Sequence, residues 1–159
     1  FGGSKLMRSD VLNKNSKEYG AQNLGIVKVP DATTYTMLAA DSGKIHVIPD
    51  LTADCVLSFP TEAVGLVFEF WYGGTAADAH DWSFDTGSDT NFFVGGAHHA
   101  DTDGELSAVV DSDGNSNSKM GVLTPECGTW VKFVCDGLKW YVNGDVISAT
   151  NTAVTFGDQ

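Results

Sequence analysis

The stretch from Thr129 to Val142 constrains this chain's fold more than any other. Thr129 to Cys135 alternates in character, Asp136-Gly137 follows, and Leu138 to Val142 returns. Alternation with period two sends successive side chains to opposite faces, as in a strand with one buried side. Asp-Gly supplies the left-handed backbone that a tight hairpin requires. Asn143-Gly144 reads as a second tight turn. Trp130 and Trp140 are expected to face each other across the strands, where aromatic pairs add stability.

The same period recurs upstream. Residues 64–72 form the strongest predicted strand, with Leu66, Phe68 and Phe70 on one face and Val67, Glu69 and Trp71 on the other. Residues 44–48 set Ile45 and Val47 against Lys44, His46 and Ile48. Residues 55–59 put Cys55, Leu57 and Phe59 on one side before Pro60 stops the strand. Residues 33–39 place Tyr35 and Met37 together, and Asp41-Ser42-Gly43 reads as a turn. Further strands are expected at 81–85, 91–94, 106–110, 119–123 and 153–156. Roughly ten short strands, with turn signals every eight to twelve residues, describe an all-β sandwich or barrel.

Charge divides the chain in two. Residues 1–30 carry Lys5, Arg8, Lys14, Lys17 and Lys28 against Asp10 and Glu18, a net +3. Residues 31–159 carry Lys44, Lys119, Lys132 and Lys139 against nineteen carboxylates, a net −15. The expected organisation is an extended basic N-terminal arm, 1–30, and a β-sandwich or barrel domain, 31–159. The arm is polar and non-periodic, with scattered apolar residues (Leu6, Met7, Val11, Leu12, Tyr19, Leu24, Ile26, Val27) suited to docking on another protein. So acidic a body repels DNA and anionic membranes, so neither nucleic acid nor membrane is an expected partner. No run approaches the roughly 20 apolar residues of a membrane span.

The candidate chemistry is sparse. Asp111-Ser112-Asp113-Gly114-Asn115-Ser116-Asn117 offers the alternating oxygen ligands that calcium takes. Its glycine is misplaced for an EF-hand loop and Val122 stands where the closing Glu belongs, so a polar turn is the preferred reading. His80, His98 and His99 lie near Asp78, Asp81, Asp101 and Asp103, but adjacent histidines on a strand face opposite ways. They read as a solvated loop, and no metal or other cofactor is expected. Glu69, set between Phe68 and Phe70, reads as an outward charge. Gly-x-Ser-x-Gly, a phosphate loop and a defensible Cys–His pair are all missing from the sequence, so no catalytic residue is assigned. Cys55, Cys127 and Cys135 are too few and too odd in number for a disulfide framework and are expected to be thiols.

Four segments together carry a resemblance. They are Leu38-Ala39-Ala40-Asp41-Ser42-Gly43-Lys44, Leu57-Ser58-Phe59-Pro60, Val64-Gly65-Leu66-Val67-Phe68-Glu69-Phe70, and the run from Trp130 through Asp136-Gly137 to Trp140-Tyr141-Val142-Asn143-Gly144. In order and spacing they resemble small β-rich virion proteins of tailed phages, of the capsid decoration (cement) type, over about residues 33–156. The resemblance implies a structural protein made in the host cytoplasm and carried on the outer capsid surface of the virion, bound to the major capsid protein. Lys5, Arg8, Lys14, Lys17 and Lys28 are the expected capsid-binding arm. Val67, Glu69 and Trp71 are the expected oligomer interface, because a strand apolar on both faces needs a second cover. A homotrimer suits the local three-fold points of a shell. Related hairpins occur in phage tail fibres, so the alternative is a glycan-binding module of a tail or head fibre, with Trp71, Tyr72 and Trp82 stacking on sugars. A glycosidase ranks third.

Overall fold

The computed structural model describes residues 25–104 and 107–159. They form a two-sheet β-sandwich, as expected, with twelve strands. In chain order these are β1 (Ile26–Lys28), β2 (Thr34–Thr36), β3 (Ile45–Ile48), β4 (Cys55–Ser58), β5 (Val64–Tyr72) and β6 (Trp82–Asp85). The second half adds β7 (Phe93–Asp101), β8 (Ala108–Asp111), β9 (Lys119–Val122), β10 (Trp130–Asp136), β11 (Trp140–Ser148) and β12 (Val154–Gly157). The larger sheet runs β1-β3-β5-β10-β11-β7-β8 and the smaller β12-β9-β6-β4-β2.

The first six strands alternate between the sheets. β1, β3 and β5 pair in parallel in one, and β2, β4 and β6 in the other. A parallel pair needs a connection that carries the chain back to its starting end. Here the strand in the opposite sheet is that connection, so the first half winds as a flattened coil. The second half adds antiparallel pairs, β10 on β5 and β11, β9 on β6 and β12, and β8 on β7, together with one more parallel pair, β7 on β11.

The core lies between the sheets because both inner faces are apolar at every second residue. From β5 come Leu66, Phe68, Phe70 and Tyr72; from β10, Val131, Phe133 and Cys135; from β4 and β6, Cys55, Leu57, Trp82 and Phe84. Phe59 sits at the centre, with ring centroids 4.3 Å from Trp140 and 4.9 Å from Phe133. Phe84 of the smaller sheet meets Phe133 at 4.8 Å and Phe70 at 4.9 Å, which ties the sheets together. Truncating a core aromatic of this kind costs about 3–5 kcal/mol.

Several expectations are corrected. Residues 25–30 do not belong to an arm: Ile26–Lys28 is a strand of the larger sheet and Val29 is buried, so Lys28 is an exposed residue of the domain. The rest of the proposed arm, with Lys5, Arg8, Lys14 and Lys17, lies outside the described residues. Asn143-Gly144 is not a turn but the middle of β11, opposite Lys132 and Val131. Gly144 is required there by space, because a Cβ would sit 2.4 Å from the Trp130 carbonyl oxygen. Asp136-Gly137 does turn the chain, with Gly137 at φ +99. The resulting register sets Trp140 opposite Cys135 and Trp130 opposite Asp145, so the two indoles do not meet. Trp140 points into the core and Trp130 points out. His98 and His99 are not in a loop; they belong to β7, which Ala97 and His99 anchor to the interior.

β3 turns His46 and Ile48 inward and leaves Ile45 and Val47 outward. The His46 imidazole is fully buried among Phe70, Phe68 and Tyr35, with centroids at 4.9, 5.6 and 6.3 Å. Neither ring nitrogen has a hydrogen-bond partner of good geometry. Burial pushes its pKa below the ordinary value; the Asp41 carboxylate and the backbone at Lys44 and Glu69 oppose this without offsetting it, and the Lys44 ammonium adds to it. The unfolded chain therefore takes up this proton first, near pH 6.5, and stability is lost as pH falls from there towards the lower folded value. His46→Leu is expected to remove that component. Urea unfolding between about pH 7 and pH 5 should show a steeper loss for the native chain than for the variant. Parallel profiles would mean that the proton finds a partner in the fold.

Candidate functional site

The outward face of the larger sheet is built from alternate residues of its strands, and the pairing register aligns them in three rows. One row is Val67, Val134, Tyr141 and Val94. The next is Ile26, Ile45, Glu69, Lys132 and Asn143. The third runs Lys28, Val47, Trp71, Trp130, Asp145, His98 and Val109. Inward pointing of Phe68, Phe70, Val131 and Phe133 dictates that these intervening residues point out.

Trp71 and Trp130 stack across the strands, with centroids 6.0 Å apart and planes at 21°. The Trp71 Nε1–H donates to Glu69 Oε1 at 2.7 Å, while Glu69 Oε2 lies 4.0 Å from Lys132 Nζ. His98 Nδ1 lies 3.1 Å from Asp145 Oδ1. Trp71 and Val134 are each 38% exposed and Tyr141 46%. The Tyr141 hydroxyl donates to Asp136 Oδ2 at 3.1 Å, which raises its own pKa. Asp136 is held below the usual carboxylate range mainly by the Lys139 and Leu138 backbone N–H groups. The strand residues that point out on this face include the cations Lys28 and Lys132 and the carboxylates Glu69, Asp111, Asp136 and Asp145.

The expected interface residues Val67, Glu69 and Trp71 all lie on this face, half-buried or exposed. Its other members, Trp130, Val134 and Tyr141, were not singled out beside them. Alternation in the hairpin puts them outward once Phe133 is known to point in, but nothing local says that β10 lies next to β5. Of the three aromatics proposed to stack on sugars, only Trp71 reaches the surface. Trp82 is fully buried, and Tyr72 points inward with its hydroxyl between the Asp50 carboxylate and the Ala76 carbonyl.

The opposite outward face, on the smaller sheet, is different in kind. One row across it is Thr34, Val56, Ser83, Gly121 and Thr155; another is Thr36, Ser58, Asp85, Lys119 and Gly157. These are short and mostly polar side chains, and none is aromatic.

The candidate metal ligands do not converge. His98 and His99 point to opposite faces, and His80 lies 3.4 Å from Asp54. Among the described residues, no three His, Cys, Asp or Glu side chains gather in a metal-holding group. Cys55 and Cys135 are buried thiols whose pKa burial raises, and Cys127 is exposed; all three are free.

In the 111–117 loop the carboxylate of Asp113 turns back on its own backbone. Its Oδ1 accepts from the N–H groups of Ser116 at 2.8 Å and Asn115 at 2.9 Å, and its Oδ2 from the Ser116 hydroxyl. Asn117 Oδ1 accepts from the Asp113 N–H at 2.8 Å. The Ser116 hydroxyl first, then these N–H groups, lower the Asp113 pKa to about 2. The loop is thus a self-closed polar turn. Its hold is complete above the free carboxyl value of about 3.9 and is lost as pH falls through about 2. Asp113→Ala is expected to speed amide exchange at Asn115 and Ser116 at neutral pH and leave the Phe133 amide unchanged. Equal exchange at the loop amides in variant and native chain would show that the carboxylate does not hold the turn.

No family model matches this chain, and no curated protein is significantly similar to it.

Proposed function

We propose that this chain is a capsid decoration protein, a structural component on the outer surface of a tailed-phage head. The observation that carries the reading is the outward face of the larger sheet, which bears a stacked tryptophan pair beside exposed Val134 and Tyr141 on a body of net negative charge. Such a surface suits a protein partner, because aromatic and apolar side chains there lose water on contact. The central strands of that face, β5, β10 and β11, carry two of the segments on which the resemblance to phage decoration proteins rests. In this reading the body assembles with other copies, as a homotrimer, and the basic residues Lys5, Arg8, Lys14 and Lys17 attach it to the major capsid protein. Attachment at several points of a shell gains from avidity, so each contact can be weak.

One observation favours a second reading. The Trp71–Trp130 pair, flanked by the acceptors Glu69 and Asp145, has the composition of a sugar-stacking platform, as in a glycan-binding module of a tail or head fibre.

Co-sedimentation with emptied heads of the phage that encodes the chain separates the two. The full chain is expected to pellet with heads at physiological salt. Replacing Lys5, Arg8, Lys14 and Lys17 by Gln should weaken pelleting at least tenfold and leave the sandwich folded. A chain that stays in the supernatant but is retained on host polysaccharide would overturn the capsid reading in favour of the glycan reading.

A further inference from the structure

We infer that β2 is an acid-released strap: when His46 takes up a proton, residues 33–37 come off the smaller sheet while the rest of the sandwich stays folded. The acid-linked loss of stability derived from His46 above concerns the whole chain; the strap is the part that gives way first. Three observations lead to it, and none depends on what the protein binds.

The first is the imidazole. His46 is fully buried, and neither ring nitrogen has a hydrogen-bond partner of good geometry. Two unpartnered polar atoms cost stability that an apolar side chain in the same place would not. The imidazolium is worse placed still, because a buried charge needs a counter-charge or water. The closed fold brings no free counter-charge to the ring. The Asp41 carboxylate is already bound by Lys44 Nζ, at 2.6 Å. Glu69 of β5 points out to Trp71, and Lys28 of β1 also points out. Tyr35 of β2 and Cys55 of β4 bring only neutral groups, whose ionisation burial opposes.

The second is the route for water. Phe68, Phe70 and Tyr35 surround the imidazole. The two phenylalanines are fully buried in β5, a nine-residue strand paired on both sides. Tyr35 alone of the three reaches solvent. It sits in a three-residue strand at the edge of the smaller sheet, paired only with β4. At its ends the Val56 N–H donates to the Thr33 carbonyl and the Met37 N–H to the Ser58 carbonyl, each at 2.9 Å. Short edge elements with few neighbours open at the lowest free-energy cost. Lifting β2 hydrates the ring and leaves β5 intact.

The third is that both ends of the segment are fastened. Asp31 Oδ1 accepts from the Thr52 N–H at 2.9 Å. After the strap, the Gly43 N–H donates to the Val67 carbonyl at 2.8 Å and Ser42 Oγ accepts from the Val67 N–H at 2.9 Å. Release therefore stops at these two ties.

The released form binds its proton at the ordinary imidazole value near pH 6.5. Its share rises as pH falls through that value, by at most about 25-fold between pH 7 and pH 5.

Amide hydrogen exchange of the full chain tests the inference, read residue by residue at pH 7 and pH 5 and corrected for the intrinsic rate. The Met37 and Val56 amides, which join β2 to β4, are expected to lose protection at least fivefold at pH 5. The Tyr72 and Leu123 amides, bonded to the Thr129 and Ala153 carbonyls, should keep theirs, as should Val29, bonded to Val47. His46→Leu should abolish the response at Met37 and Val56; His46→Phe, which keeps a ring in the site, is the second variant. Equal loss at Tyr72 and Leu123 would mean that acid opens the whole sandwich, and loss confined to Val29 would put the opening at β1. Either result overturns the inference. So does unchanged protection at Met37 and Val56, or a response that survives in a folded variant. The contrast within the native chain decides where the fold opens even if neither variant folds.

Discussion

Everything else in this structure depends on the aromatic contact that holds the two sheets together. Phe59 follows β4 in the smaller sheet, and its ring lies against Trp140 of β11 and Phe133 of β10 in the larger. Phe84 of β6 reaches the same cluster from below. Each ring can occupy that layer only if its strand presents the right face, so the cluster fixes the parity of β5, β10 and β11 together. Once Phe68, Phe70, Phe133 and Trp140 are inside, Val67, Glu69, Trp71, Trp130, Lys132, Val134 and Tyr141 have no place but outside. The tryptophan-bearing face is the reverse side of the core.

The winding of the first half explains why so short a chain sustains a seven-stranded sheet. Each passage through the smaller sheet returns the chain for another parallel strand in the larger one, and no helix is needed as a crossover among the described residues. The sandwich has two unlike sides because the smaller sheet's outward residues are mostly Thr, Ser and Gly, while the larger sheet's mix Val, Ile, Trp and Tyr with charged residues such as Lys28, Glu69, Lys132 and Asp145. Two unlike faces on one sandwich give it a direction.

Much of this was legible in the sequence where the signal is local. Residues 64–72 are rich in β-branched and aromatic residues, β5 has those bounds, and period two sets Val67, Glu69 and Trp71 on the face opposite Leu66, Phe68 and Phe70. Cys55, Leu57 and Phe59 share one side by the same period. What escaped was set by partners distant in the chain. Parallel pairing of β3 with β5, and β10 lying beside β5, are long-range outcomes that no window of residues encodes. Strand β1 is three residues long and leans on β3, so it read as part of the basic arm. His46 and His99 look like surface residues by type, and only the neighbouring strands bury them. Asn143-Gly144 carries the composition of a turn, but its glycine serves the close approach of Trp130 and Val131 instead.

The central claim is that the tryptophan-bearing face of the larger sheet is buried against protein in the assembled particle. Hydroxyl-radical footprinting of purified virions, set against the dilute free chain, tests it most directly. The account predicts that Trp71, Trp130 and Tyr141 are oxidised several-fold more slowly on the virion, while Val56 on the smaller sheet keeps its rate. Equal rates at the tryptophans in the two states, or virions that lack the chain, would contradict it.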